Sequence, residues 1–226
     1  MSAPAPNPEA KLYGLRYVLS YIQQLRAAGV EDRSFDDQTA FLALLSRFTS
    51  RHKSQLGQDV FALAMNGFRR QGYFVEVGAH HGEKLSNSWL LENEYGWIGL
   101  LIEPNPANHA TLHARKAALV VKAAWKRSGE RLVFHATKAS GLSTLAGVTP
   151  GDLHDRSQFE AIEVETMTLD DILAEAGAPR VIDYLSIDVE GAETDVLDGL
   201  SLDRWDVRAM SLEHNNDKQR AAEFDR

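Results

Sequence analysis

Near-continuous apolar runs recur along the chain with helix-length amphipathic stretches between them, and no other feature restricts the fold as much. "YFVEVGA", "WIGLLIEP" and "VIDYLSIDVEG" have the pattern of strands buried on both faces. Helices are predicted between and around such runs, at Asp59 to Arg70, Ser86 to Asn93 and Asn105 to Lys116. Strands alternating with helices imply right-handed crossovers and a mostly parallel sheet with helices on both faces, an α/β fold. "ALVVKAA" reads as a further strand, and "VRAMSLEHN" as the last one. "RLVFHAT" and "AIEVETMTL" read instead as antiparallel strand material or an insertion, separated by a Gly/Ser/Thr-rich loop, "SGLSTLAGVTPGD", that could reach over a site.

The alternation begins at about residue 54. Before it, "AKLYGLRYVLSYIQQLRAAG" and "SFDDQTAFLALLSRFTSR" carry apolar residues at three- and four-residue spacing, the second with Ser34 as N-cap. Residues 1–53 are therefore expected to form an N-terminal helical extension, acting as a packing cap or dimer surface, with a substrate lid as the alternative, and residues 54–226 the main domain.

The chain's charge narrows its partners. Its 226 residues carry a formal charge of −8, which offers no basic footprint for nucleic acid and does not attract anionic membranes. A small-molecule partner is expected. There is no cysteine, so disulfides, thiolate catalysis and cysteine metal sites are excluded. "MSAPAPNPEA" has no basic segment leading into an apolar run, and no stretch approaches the ~20 apolar residues of a membrane span. A cytoplasmic location is expected.

In an open α/β sheet, ligands bind beyond the carboxyl ends of the strands. The first such end, "FVEVGAHHGE", holds Gly78, Ala79 and Gly82 after the in-strand acid Glu76. Its G-x-x-x-G spacing differs from the G-x-G-x-x-G of dinucleotide sites, and Glu76 would repel a pyrophosphate while suiting an ammonium. A nicotinamide oxidoreductase is thereby disfavoured. The second end carries Glu103, placed to accept hydrogen bonds from ribose hydroxyls. The third, "LSIDVEGAE", carries Asp188 and Glu190, acids expected to face a ligand, a cation or a metal. Beside it, "SLEHNN" offers Glu213, His214 and Asn215, so that Asp188 with Glu213 or Asn215 provides oxygen ligands for a divalent ion. His80 and His81 are adjacent, which disfavours chelation; one imidazole of the loop, or His214, can serve as a general base.

The ordered series "SQLGQDVFAL", "GYFVEVGAHHGEKLSNSWLLE", "GWIGLLIEPNP", "KAAW", "SGLSTL", "VETMTLDDIL", "IDYLSIDVEGAETDVLDGL" and "SLEHN" resembles the FkbM family of S-adenosylmethionine-dependent methyltransferases. The resemblance implies a class I methyltransferase, Rossmann-like fold. It places Glu76, Gly78, Ala79 and Gly82 around the methionine part of S-adenosylmethionine, and Glu103 at the ribose. Pro104 and Asn105 would shape the adenosine pocket, Ala123 and Ala124 would lie near adenine, and Asp188 near the amino group and the transferring methyl. Ser54 and Gln55 would clamp the cofactor side, with Ser86 and Asn87 bordering the pocket. The implied reaction is in-line methyl transfer to a hydroxyl of a small molecule such as a sugar or polyketide, with Asp188, His81 and His214 nearest the acceptor. A fold of this kind closes with two further strands after "VRAMSLEHN", for which residues 216–226 are too short and too polar. A non-catalytic, scaffold-type module is the alternative, and self-association through the uncovered sheet edge or the N-terminal helices is expected.

Overall fold

The computed structural model describes residues 33–137, 140–148 and 155–214. The first predicted helix, parts of the loop after "RLVFHAT", Asn215 and the tail in which closing strands are expected to be missing lie outside them. The chain divides into two units, Met1–His52 and Lys53–Arg226. In the first, helix α1 runs Arg33–Ser46, so Ser34 lies inside the helix instead of capping it. No helix of the described residues is long and apolar enough to cross a membrane.

The second unit carries the expected alternation: α2 (Gln58–Met65), β1 (Tyr73–Val77), α3 (Trp89–Tyr95), β2 (Ile98–Ile102), α4 (Pro106–Leu112) and β3 (Ala118–Val120). After β4 (Ala123–Ala124), β5 (Arg131–Thr137), β6 (Thr144–Leu145) and β7 (Phe159–Met167) come α5 (Leu169–Glu175), β8 (Val181–Ile182) and β9 (Tyr184–Ile187). Helix α6 (Glu193–Leu197) and strands β10 (Asp206–Val207) and β11 (Met210–Leu212) complete it. The five-stranded sheet has the order β11-β9-β1-β2-β3 and every pairing in it is parallel.

One face of this sheet is apolar. Val75, Val77, Leu100, Ile102, Leu185 and Ile187 pack with Leu169, Ile172 and Leu173 of α5 and with Val196 of α6. On the other face β1 and β9 place Glu76 opposite Ser186. Polar residues continue along that face, because the Tyr184 hydroxyl lies 2.6 Å from Ser211 Oγ, and Ser211 Oγ donates to Ser186 Oγ at 3.3 Å.

Two segments that read as single strands are divided. "ALVVKAA" separates at Val121–Lys122: β3 closes one edge of the parallel sheet and β4 pairs with β7 of a second sheet, order β4-β7-β5-β6. β5 and β7 are antiparallel, as their alternation predicts. "VIDYLSI" breaks at Asp183, whose buried carboxylate accepts the Tyr73 N–H at 2.8 Å and pairs with Arg69 at 2.9 Å and Arg208 at 2.8 Å. A charge with those obligations cannot sit in a regular apolar strand, so β8 pairs with β10 and the chain steps into β9.

Candidate functional site

Chain order reverses beside β1: β2 and β3 lie to one side, β9 and β11 to the other. At such a switch point the loops leaving two neighbouring strands diverge in opposite directions and open a crevice. A cleft of about 110 Å³ lies there, lined by residues from the ends of β1, β2, β9 and β11 and from the β5–β6 region. Glu76, Gly78, Ala79, Asn87, Glu103, Pro104 and Asp188 line it, as does the exposed Gln55. Among the described residues, no lysine or arginine lines it.

The glycines of the first loop serve the chain's own packing. Gly78 has φ +79°, and a Cβ on it would lie 1.8 Å from the Asp188 carbonyl oxygen. The N–H groups of Gly78 and Ala79 both donate to the Ile102 carbonyl, at 3.0 and 3.2 Å. Gly82, also at φ +79°, abuts Leu112 of α4, where an added Cβ would come within 2.6 Å. Close approach is therefore the reason for both glycines, and the partners approached are β9 and α4.

Glu76 is 3% exposed and its carboxylate is held by the loop ahead of α3. It accepts from Ser86 Oγ at 3.0 Å, from the Asn87 N–H at 2.6 Å, and from the Ser88 hydroxyl. Burial pushes this carboxyl up, against the downward pull of Ser88, Arg115, Asn87 and Ser86. Arg115 closes the same loop by donating to Gly82 O and to Ser88 Oγ while pairing with buried Glu92. The sequence alone does not single out Arg115, because a polar helix end carries no spacing that marks a buried arginine.

Glu103 ends β2 with its orientation fixed. Oε2 accepts the His80 N–H and Oε1 the Asn105 N–H, both at 2.8 Å. Burial raises this carboxyl, and the two N–H groups temper the rise. Asn105 also caps α4, accepting the Ala107 N–H. Ala123 and Ala124 line a narrow apolar slot with Phe134 and Leu145; Gly78, Pro104 and Val189 belong to both this slot and the main cleft.

Asp188 and Glu213 stand side by side, because β11 pairs Leu212 with Ile187 and the next residue of each strand is the acid. Burial pushes both carboxyls up; the negative charge of Asp188 adds to it at Glu213, which reaches about 10. Glu190 brings a third carboxylate, so that one oxygen from each lies within 4.8 Å of the others. Arg156 pairs with Glu190 at 2.5 Å and donates to the Leu142 carbonyl at 3.0 Å, tying the β5–β7 connection to the cleft.

The histidines divide differently from the sequence reading. His80 lines the cleft, and its ring lies 3.8 Å from where a Gly141 Cβ would stand. Burial and the positive charges of His81 and Lys84 lower its pKa. His81 and His214 are exposed and neither is part of the lining. Ser54 is buried, is not part of the lining, and donates to Asp59 at 2.5 Å, which anchors the start of α2.

A solved structure of an uncharacterized ACR superfamily protein from Burkholderia thailandensis is similar at 13% identity, over 80% of this chain, with a TM-score of 0.21. The match spans 56% of that protein's length, and likeness at this level carries no argument. No curated protein matches. The model of the methyltransferase FkbM domain matches residues 76–226, a span that begins at Glu76 in β1 and takes in Glu103, Asp188 and Glu213. With more than half of its length matched and a parallel α/β sheet opening a cleft at its switch point, the chain belongs to the FkbM methyltransferase family.

Proposed function

We propose that this methyltransferase takes its methyl group from S-adenosylmethionine and passes it to a hydroxyl oxygen of a small molecule, such as a sugar or a polyketide. One observation carries the reading: Glu103, fixed by two backbone N–H groups at the tip of β2, still lines the cleft. A carboxylate so held retains lone pairs for ribose hydroxyls. Pro104 and the slot beside Ala123 and Ala124 suit the flat adenine. Gly78, Ala79 and Gly82 shape the methionine end, Glu76 supports it through the Ser86–Ser88 loop, and Gln55, Ser54 and Asn87 border it. Asp188 lies beside the amino group and the reacting methyl.

S-Adenosylmethionine supplies a methyl group on a positively charged sulfur. The oxygen lone pair forms the new C–O bond, the C–S bond electrons return to sulfur, and the hydroxyl proton passes to a basic group. Most of the rate gain in such a transfer comes from holding oxygen, carbon and sulfur in line. Asp188 is the group nearest the reacting oxygen, and His80 is the wall imidazole in place of the exposed His81 and His214. Residues 54–226 constitute the cofactor-binding domain, with 1–53 as an added helical extension.

Calorimetry with S-adenosylhomocysteine tests the cofactor assignment, with NAD as the control that should not bind. Glu103→Ala is expected to weaken S-adenosylhomocysteine binding by roughly 10- to 100-fold, the loss of hydrogen bonds to a charged group. Unchanged affinity would remove the ribose assignment. Turnover against a panel of hydroxylated acceptors tests the reaction, and cofactor binding without turnover would favour a non-catalytic module.

A further inference from the structure

Three carboxylates crowd the mouth of the cleft where β9 and β11 end. Asp188 and Glu213 are neighbours in register, and Glu190 joins them from the loop before α6. Mutual repulsion opposes such a cluster, and either a proton shared between Asp188 and Glu213 or an entering positive charge relieves it. Arg156 pairs with Glu190. A fourth acid nearby, Glu193 at the start of α6, accepts the Val189 and Gly191 N–H groups, each at 3.1 Å.

Two further atoms lack partners at the same place. Asn87 is 4% exposed and lines the cleft; its Nδ2 donates to Ser186 Oγ at 2.9 Å, and its Oδ1 has no hydrogen-bond partner. Glu213 Oε2 is likewise buried and unbonded. Ser186 lies two residues before Asp188 on the same strand face, so Asn87 is held on the side of β9 from which Asp188 projects. Buried acceptors left without protein donors call for an ordered water, a cation, or water bound to one.

We propose that Asp188, Glu190 and Glu213, with Asn87 beside them, form a site for a hard divalent cation such as Mg²⁺ or Mn²⁺. Oxygen ligands stand ~2.0–2.1 Å from Mg²⁺, so oxygens across such an ion are ~4 Å apart; the three carboxylate oxygens lie within 4.8 Å of one another and need close in by less than ~1 Å to hold it. The ligand set is all oxygen; the chain has no cysteine to offer a thiolate, and among the described residues no lysine lines the cleft. Resting on the methyl-transfer reading, the cation would stand where an acceptor hydroxyl must approach and would polarise that oxygen. The ammonium of the methyl donor is the rival source of positive charge for the same acids.

The test uses the full chain, stripped with chelator, and Mn²⁺ as the probe, followed by electron paramagnetic resonance. One Mn²⁺ per chain is expected to bind, displaceable by Mg²⁺. Glu213→Gln and Glu190→Gln should each weaken it at least ~10-fold, while Glu163→Gln on the exposed face of β7 leaves it unchanged. Two variants keep the test valid if either one fails to fold, as judged by its melting temperature. No saturable Mn²⁺ binding, or binding indifferent to both variants, would overturn the proposal. Mn²⁺ and S-adenosylhomocysteine should bind together; mutual exclusion would give the cluster to the ammonium and also overturn it. Binding of S-adenosylhomocysteine in chelator is measured separately, so a failed metal site is distinguished from a failed cofactor assignment.

Discussion

Gly78→Ala is expected to destabilise the domain by about 3 kcal/mol or more and to abolish cofactor binding. Two costs combine. The left-handed conformation at φ +79° costs an L-residue about 1–2 kcal/mol. The new Cβ would also meet the Asp188 carbonyl at 1.8 Å, and overpacking against backbone costs about 1–3 kcal/mol. Relief requires the ends of β1 and β9 to separate, which displaces Asp188 itself. Gly129→Ala is the control: its φ is +81°, yet an added Cβ would meet nothing within 4 Å, so only the conformational cost applies. Urea unfolding of both variants isolates the clash. Equal losses would mean that Gly78 answers only to its dihedral angle, and the close approach would play no part.

Arg115→Ala should cost about 3–5 kcal/mol, the effect of leaving a buried charge without its partner. The guanidinium meets Glu92 at 3.1 Å, with the two side chains 5% and 2% exposed. It also holds Gly82 O and Ser88 Oγ, which tie together the loop that supports Glu76. Glu92 meanwhile accepts the Lys116 and Ala117 N–H groups at 3.0 and 3.1 Å, so it cannot turn toward water. Arg115→Lys should rescue little, since an ammonium cannot reproduce the fork of N–H donors. The double variant Arg115→Met, Glu92→Leu should recover part of the loss by removing both charges. A cost below about 1 kcal/mol for Arg115→Ala in urea unfolding, the range of a surface ion pair, would contradict this account.

The parallel sheet was legible because strands buried on both faces need runs such as "WIGLLI" and crossover helices need amphipathic ones. The strand-end acids followed from the same pattern: Glu103, Asp188 and Glu213 all stand where the apolar runs stop. Divisions within strands were not legible. At Asp183 the break depends on Arg69 and Arg208, residues far away in sequence that only the folded chain brings together. The switch of "ALVVKAA" between sheets likewise depends on where β7 returns.

The histidine pair shows the same limit. Sequence places His80 and His81 in one loop and cannot rank them, because neighbouring side chains diverge and a single dihedral decides which faces the cleft. With φ at +46° the backbone turns His80 to the wall and leaves His81 exposed. Glu76 was readable as an acid near the ligand, but its commitment to Ser86, Asn87 and Ser88 was not. Sequence by itself determined the layer architecture and the edge of the sheet at which chemistry gathers, since hydrophobic periodicity is a local property of the chain. Tertiary structure alone decided that the loop glycines meet β9 and α4, that Arg115 locks the loop, and that three carboxylates converge. Those outcomes depend on strand register and crossover path, which bring together groups that are distant along the chain.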